Sequence, residues 1–330
     1  QTVKYSHIII GKKDAQKRNI FWFLKQVNIV FNFFIKIRPV DIVHLNVPLA
    51  HLSIIINIVL VLLAKVSRKK IIIHFRGGEL GFQGRHNFWH RISISILIKL
   101  SSSVIFLGVK EKQYFLDNYK ILRYRNAYAL PNAVNVPLKA GDEKHCKFSN
   151  SRIDLVYFGR MDHSKGLKEI ALALELLVDN IDFHFHAIGD GPDLESFEKN
   201  LNSRSLTEYV TIHGSKTQGE IFDILSKCQI FILPSHFEGL PNSLLEAMAH
   251  HVVPVVTPVG SIPEVVVPGN NGFMVQVKCP EELAETIIFA KNNEVLLADM
   301  ANRGHLLMER KFSIKSYCAS LDSIYNETID

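Results

Sequence analysis

From residue 153 onward, short β-branched and aromatic runs alternate with longer stretches whose apolar residues recur every three or four positions. The runs IDLVYFG (153–159), FHFHAIG (183–189), YVTIHG (209–214), IFILP (230–234), VPVVT (253–257) and GFMVQV (272–277) read as strands. LKEIALALELLVDN (167–180) and PEELAETIIFAKNN (280–293) read as helices. Strand, crossover helix and strand in alternation predict an α/β fold with a parallel sheet covered on both faces. The first third repeats this with weaker punctuation: strands at DIVHL (41–45), KIIIHF (70–75), SVIFLG (103–108) and NAYAL (126–130), helices at 21–37 and 52–64. Arg38-Pro39 ends the first of these helices, because proline disfavours helix in the residue before it. The 52–64 run is interrupted by Asn57 and is shorter than the ~20 residues a membrane-spanning helix needs, so it reads as a buried helix between two strands. The 130–152 segment has two prolines and no periodicity and reads as an interdomain linker. The expected organisation is one domain over 1–132, a linker over 133–152, a second domain over 153–312 and a closing helix over 313–330.

Composition narrows the class. The chain has 330 residues, 47% of them hydrophobic, which suits a packed globular protein rather than a disordered one. Lys and Arg number 38 against 32 Asp and Glu. A surplus of six suits an anionic ligand or an acidic membrane surface and falls well short of a nucleic-acid binder. None of Cys146, Cys228, Cys279 and Cys318 lies within four residues of another, so zinc and redox spacings are absent and reduced thiols in a cytoplasmic protein are expected. The chain opens at Gln1 with no Met and no signal-peptide pattern, which raises the expectation of a fragment.

Three candidate features sit at strand-to-helix junctions, where open α/β sheets bind ligands. The loop Phe158-Gly159-Arg160-Met161-Asp162-His163-Ser164-Lys165-Gly166 combines a glycine turn, whose amides can approach a phosphate, with two cations suited to a diphosphate. Solvated loop charges explain that loop equally well. Gly189-Asp190-Gly191-Pro192 is a turn of a common kind. His236-Phe237-Glu238-Gly239-Leu240-Pro241-Asn242-Ser243-Leu244-Leu245-Glu246 keeps Glu238 in a loop and opens a helix near Asn242, a good N-cap residue whose neighbouring amides face an anion. Glu246 lies one turn further, and its apolar neighbours make an unpartnered acid costly. Two carboxylates bracketing a helix N-terminus suit a nucleotide-sugar; the alternative for Glu246 is an ordinary exposed helix residue.

The spacing Glu238-x7-Glu246, after FILPS and before VPVVTPVGSIPEVV, resembles the signature of retaining glycosyltransferase family 4. GRMDHSKG resembles that family's diphosphate loop, NNGFMV (270–275) its usual strand entry, and LPNAV (130–134) the start of its linker. The resemblance is specific over about residues 153–312 and diffuse before 130. It implies a GT-B fold, two Rossmann-like domains with parallel sheets facing across a cleft, the first incomplete at its start. It implies that Arg160 and Lys165 contact the donor diphosphate, that Glu238 holds the sugar hydroxyls, and that Gly239, Leu240, Asn242 and Ser243 lie near sugar and phosphate. Glu246 would bind the ribose, and the turn Gly214-Ser215-Lys216 would lie near the base. Transfer would proceed with retention, without a cofactor and without a metal; the sequence agrees in having no Asp-x-Asp pair.

Two departures bear on the N-terminal side. The family's opening strand and glycine-rich loop have no counterpart, since TVKYSHIIIG (2–11) reads as a later strand. In His74-Phe75-Arg76-Gly77-Gly78-Glu79 the family's histidine directly before glycine is replaced by Arg76, with His74 two residues earlier on the same strand face. Either side chain could serve catalysis, or both could simply close the strand; Arg76 cannot accept a proton but can steady phosphate charge. His86 and His90 have helical spacing without the acid of a zinc-protease motif and read as core or surface histidines.

The expected reaction is sugar transfer from a nucleoside diphosphate sugar to a saccharide or lipid-linked acceptor, in surface polysaccharide or glycolipid assembly. The basic, aromatic stretch KKDAQKRNIFWFLKQ (12–26) suits either an anionic inner-membrane surface or packing on its own sheet. Competing readings are a GT-B sugar-nucleotide epimerase and a non-catalytic donor-binding homologue or partner subunit.

Overall fold

The structure, a computed structural model, describes residues 20–49, 51–76, 88–137, 148 and 151–329. The chain divides into two compact units, residues 1–130 with 320–330, and residues 131–319.

The N-terminal unit runs α1 (Ile20–Lys36), β1 (Ile42–Pro48), α2 (His51–Val66), β2 (Lys70–Arg76), α3 (Phe88–Leu100), β3 (Ser103–Phe106), α4 (Val109–Asn118) and β4 (Asn126–Ala129). Its strands form one parallel sheet in the order β1-β2-β3-β4. β2 and β3 are buried almost throughout, as strands covered on both faces must be, whereas β1 alternates and leaves Asn46 and Pro48 exposed. The core gathers Ile54, Leu60, Ile73, Phe75, Phe106 and Phe115, with the Phe75, Phe106 and Phe115 rings 4.8–5.6 Å apart.

Helix α2 departs from the buried helix expected of 52–64. Ile54, Leu60, Val61 and Ala64 are fully buried, but Ile55, Val59, Leu62 and Val66 face outward. A run apolar on every side carries no mark of which side the sheet covers. Asn57 is itself buried and donates to the Ser53 carbonyl at 2.8 Å, so the polar interruption is satisfied inside the helix. Among the described residues no helix is long and apolar enough to cross a membrane.

The second unit runs β5 (Ile153–Phe158), α5 (Leu167–Leu177), β6 (Phe183–Ile188), α6 (Leu194–Ser203), β7 (Val210–Gly214), α7 (Gln218–Leu225), β8 (Ile230–Leu233), α8 (Asn242–Ala249), β9 (Val253–Val256), β10 (Phe273–Met274), α9 (Pro280–Lys291), α10 (Glu294–Leu307) and, after a π-helical turn, α11 (Ile314–Ile329). Helix α11 ends in residues that group with the N-terminal unit. The six-stranded sheet is parallel, in the order β10-β9-β8-β5-β6-β7. β10 is shorter than GFMVQV suggested, pairing only Phe273 and Met274 with β9. Every residue of β5, β8 and β9 is buried. The chain leaves β5 toward β6 on one side and returns to β8 on the other, so the strand order reverses between β5 and β8, and loops leaving such neighbours diverge to open a crevice.

Candidate functional site

The loops leaving β5 (159–166) and β8 (234–241) meet at that reversal. Gly166 has φ +72°, and a Cβ there would run into the Pro234 carbonyl, so only glycine brings the loops this close. The His236 amide donates to the Ser164 carbonyl at 2.7 Å, and the Asp162 carboxylate accepts from the Ser164 amide and hydroxyl at 3.0 and 2.5 Å. On the far side Gly260, at φ +57°, faces the carbonyls of Glu238 and Gly239, and the Ser261 amide donates to Gly239 at 2.8 Å.

This packing brings two of the expected ligands into contact. Lys165 Nζ lies 2.7 Å from Glu238 Oε1, and Ser235 Oγ donates to the same oxygen at 2.8 Å. The Lys165 and Glu238 side chains are 21% and 8% exposed, so the pair is largely covered where the two loops meet. Arg160 is more exposed than Lys165: its side chain is 57% exposed, with Nε 3.5 Å from Asp162 Oδ2. Beneath it, the Tyr157 hydroxyl donates to the Arg160 carbonyl at 2.6 Å. Burial first, then the Glu238 and Asp162 charges, push that phenol's pKa up, so it stays a donor.

Helix α8 begins at Asn242, but the cap position belongs to Pro241, at φ −68° and ψ 129°, without a side-chain cap. Asn242 is therefore the first helical residue rather than the N-cap expected. The amides of α8's first turn thus have no side-chain cap competing for them. Asn242 is exposed, Ser243 partly so, and Leu240 is buried with its carbonyl accepting from Asn132 Nδ2 at 3.0 Å. Glu246 is half-buried on α8; desolvation raises its pKa, against a hydrogen bond from Gln218 Nε2 at 3.4 Å. Gly214 ends β7 at φ +65° and accepts from the Gly189 amide at 2.9 Å, with Ser215 exposed beside it.

His74 and Arg76 lie on β2 of the N-terminal unit. His74 is fully buried, its Nδ1 3.3 Å from His44 Nε2, while His44 Nδ1 is 2.8 Å from the Tyr325 hydroxyl of α11. Burial, and then the Arg76 charge, depress His44 to about 4 and His74 to about 2, so both are neutral at physiological pH. Arg76 Nε donates to Asn46 Oδ1 at 2.9 Å. Gly77, Gly78, Glu79 and His86 lie outside the described residues, as do 2–11 and the start of 12–26. His90 is a buried residue of α3. Among the described residues no cluster of three His, Cys, Asp or Glu could hold a metal ion.

Sequence reading missed the support behind the ligands. Glu169 Oε1 lies 3.1 Å from His236 Nε2, tying α5 to the Glu238 loop, and Tyr157 braces the Arg160 turn. Glu169 is an acid in the first turn of α5, and only contact across 67 residues reveals its partner.

Residues 142–306, half of the chain, match the family model described as "Glycosyl transferases group 1". An uncharacterized glycosyltransferase of Methanocaldococcus jannaschii is 29% identical over 160 residues, covering 48% of this chain and 45% of that protein. The capsular polysaccharide biosynthesis glycosyltransferase CapM of Staphylococcus aureus is 27% identical over 220 residues, covering 66% and 52%. The chain thus spans about half the length of the curated relatives it matches. Among solved structures, Anabaena HepE in complex with UDP-glucose superposes with a TM-score of 0.77 at 16% identity, covering 92% of this chain and 84% of that one. That likeness is one of fold, GT-B, with two sheets of parallel strands here as expected. With its strand-reversal crevice and half its length within the family's matched region, the chain belongs to the glycosyl transferases group 1 family.

Proposed function

We propose that the protein transfers a sugar from a nucleoside diphosphate sugar to an acceptor hydroxyl, with retained anomeric configuration, in surface polysaccharide or glycolipid assembly. One observation carries the reading: the Lys165–Glu238 pair sits beside exposed Arg160 where the β5 and β8 loops meet, next to the opening of α8. In the reaction the bond from the anomeric carbon to the diphosphate breaks and one to the acceptor oxygen forms. The acceptor's proton ends on the diphosphate. Arg160, Lys165 and the first amides of α8 stabilise the charge that builds on the leaving group, without needing a metal. Glu238, already held by Lys165 and Ser235, accepts from sugar hydroxyls, and Glu246 accepts from the ribose diol. Gly214 and Ser215 border the base. The acceptor is a saccharide or a lipid-linked sugar, and the reaction belongs to the cytoplasm, where such donors are made.

The likeness to a UDP-glucose complex makes a uridine donor the first to test. Calorimetry with UDP, GDP and ADP, without added metal, would be run on the protein and on Glu246→Ala. Micromolar binding of one nucleotide, weakened at least tenfold by the substitution, is expected. Binding of none of the three would overturn the donor-site reading.

A further inference from the structure

The N-terminal unit carries an apolar surface none of whose residues is assigned a part in the proposed transfer. On α2, Ile55, Val59, Leu62 and Val66 recur at helical spacing and are 56%, 43%, 47% and 82% exposed. The opposite side of the same helix, with Ile54, Leu60 and Val61, is fully buried, so the outward stripe is a second apolar face and not a leaking core. Helix α1 packs beside α2 and exposes Phe31, Phe34 and Ile35. Their C-terminal ends lie together: Lys69 Nζ donates to the Arg38 carbonyl at 2.9 Å, and the Lys70 amide to the Asp41 carbonyl at 3.1 Å.

Charge is distributed to match. Residues 20–70 hold seven Lys and Arg and a single acid, Asp41, an imbalance equal to the whole chain's surplus of six. Neither α1 nor α2 contains an acidic residue. Lys36, Arg38, Lys65 and Arg68 are exposed around the shared end, and the Arg38 guanidinium stands 5.4 Å over the Phe34 ring. Apolar stripes with a cluster of cations at their shared end are the complement of acyl chains beneath anionic head groups.

We infer that the face formed by α1 and α2 docks on an anionic lipid bilayer. The inference is independent of the donor site. Flotation with vesicles of phosphatidylcholine alone, and of equal parts phosphatidylcholine and phosphatidylglycerol, tests it on the protein as it stands. Binding to the anionic vesicles, at least tenfold weaker to the neutral ones and reduced by high salt, is expected. Each cation at an anionic surface contributes about fivefold, so Lys65→Glu with Arg68→Glu would weaken binding by at least about tenfold. Leu62→Ser with Val66→Ser would do so comparably through lost apolar burial, with circular dichroism confirming that each variant folds. Equal binding to both vesicle types, no binding to anionic vesicles, or a stripe variant that binds like the parent overturns the inference. So does a parental dimer, by analytical ultracentrifugation, that Leu62→Ser with Val66→Ser converts to monomer. The exposed Lys65→Glu with Arg68→Glu variant decides whether this face docks even if the stripe variant does not fold.

Discussion

Lys165 Nζ and Glu238 Oε1 stand 2.7 Å apart across 73 residues of chain, joining the loop after β5 to the loop after β8. Both side chains are largely withdrawn from water, so removing one partner leaves the other's charge poorly solvated. Lys165→Met is expected to destabilise the fold by about 1–3 kcal/mol, read by urea titration. Glu238→Gln should cost less, because the amide still accepts from Ser235. A double-mutant cycle should return a coupling of about 1–2 kcal/mol; additivity would mean the pair is not formed in solution.

Glu246 places function and stability in opposition. Desolvation raises its pKa above the ordinary glutamate range, so the folded protein holds the proton more tightly than the unfolded chain. The protonated carboxyl carries no penalty below the unfolded pKa; the penalty develops as pH rises and is complete above the folded pKa. Glu246→Gln should therefore raise the melting temperature at pH 7 by on the order of a degree or two, with the gain shrinking toward pH 4. The same substitution should weaken nucleotide binding. A variant that melts lower at pH 7 would show that the carboxylate is stabilising and the desolvation argument wrong.

Gly260 tests the geometry behind Glu238. At φ +57° an alanine is strained, and its Cβ would also run into the carbonyls of Glu238 and Gly239. Gly269 shares the left-handed backbone, at φ +75°, with nothing near its missing Cβ. Gly269→Ala should lose only the backbone term, about 1–2 kcal/mol. Gly260→Ala should lose more and should also weaken binding of the nucleotide-sugar, by displacing Glu238 from the sugar hydroxyls. Equal losses with unchanged binding would mean that the 257–262 loop does not hold Glu238 in place.

The second unit's sheet was legible because β5, β8 and β9 are buried on both faces and so appear as unbroken apolar runs between turn residues. β10 was overread because GFMVQV has strand composition while only two residues find a partner. The loop residues were legible as a set but not as a network: composition marks Arg160, Lys165, Glu238 and Glu246, yet says nothing of which cation meets which acid. The family resemblance therefore implied different parts of one ligand for Lys165 and Glu238, while packing pairs them. Glu169 and Tyr157 stayed invisible because their roles are set by contacts with His236 and the Arg160 carbonyl, through folding rather than spacing. Pro241 displaced Asn242 from the cap because its fixed φ suits the entry to α8.

His44 and His74 give the N-terminal unit a pH dependence of definite sign. Their folded pKa values lie at about 4 and about 2, below the ordinary 6.5, because burial and the Arg76 charge disfavour the imidazolium. The unfolded chain therefore binds protons first as the solution is acidified. The stabilisation is fully present above pH 6.5 and is lost as pH falls from there toward 4, where His44 also protonates in the fold. Within that window each histidine contributes a slope of up to about 1.4 kcal/mol per pH unit. Melting followed at pH 7, 6 and 5 should show a steady loss, and His44→Phe with His74→Leu should flatten it. Because His74 stays neutral throughout the working range, it cannot produce an acid limb near pH 6 in a rate profile. Such a limb, abolished by His74→Leu with the fold intact, would show that the ring leaves its buried position and titrates during turnover.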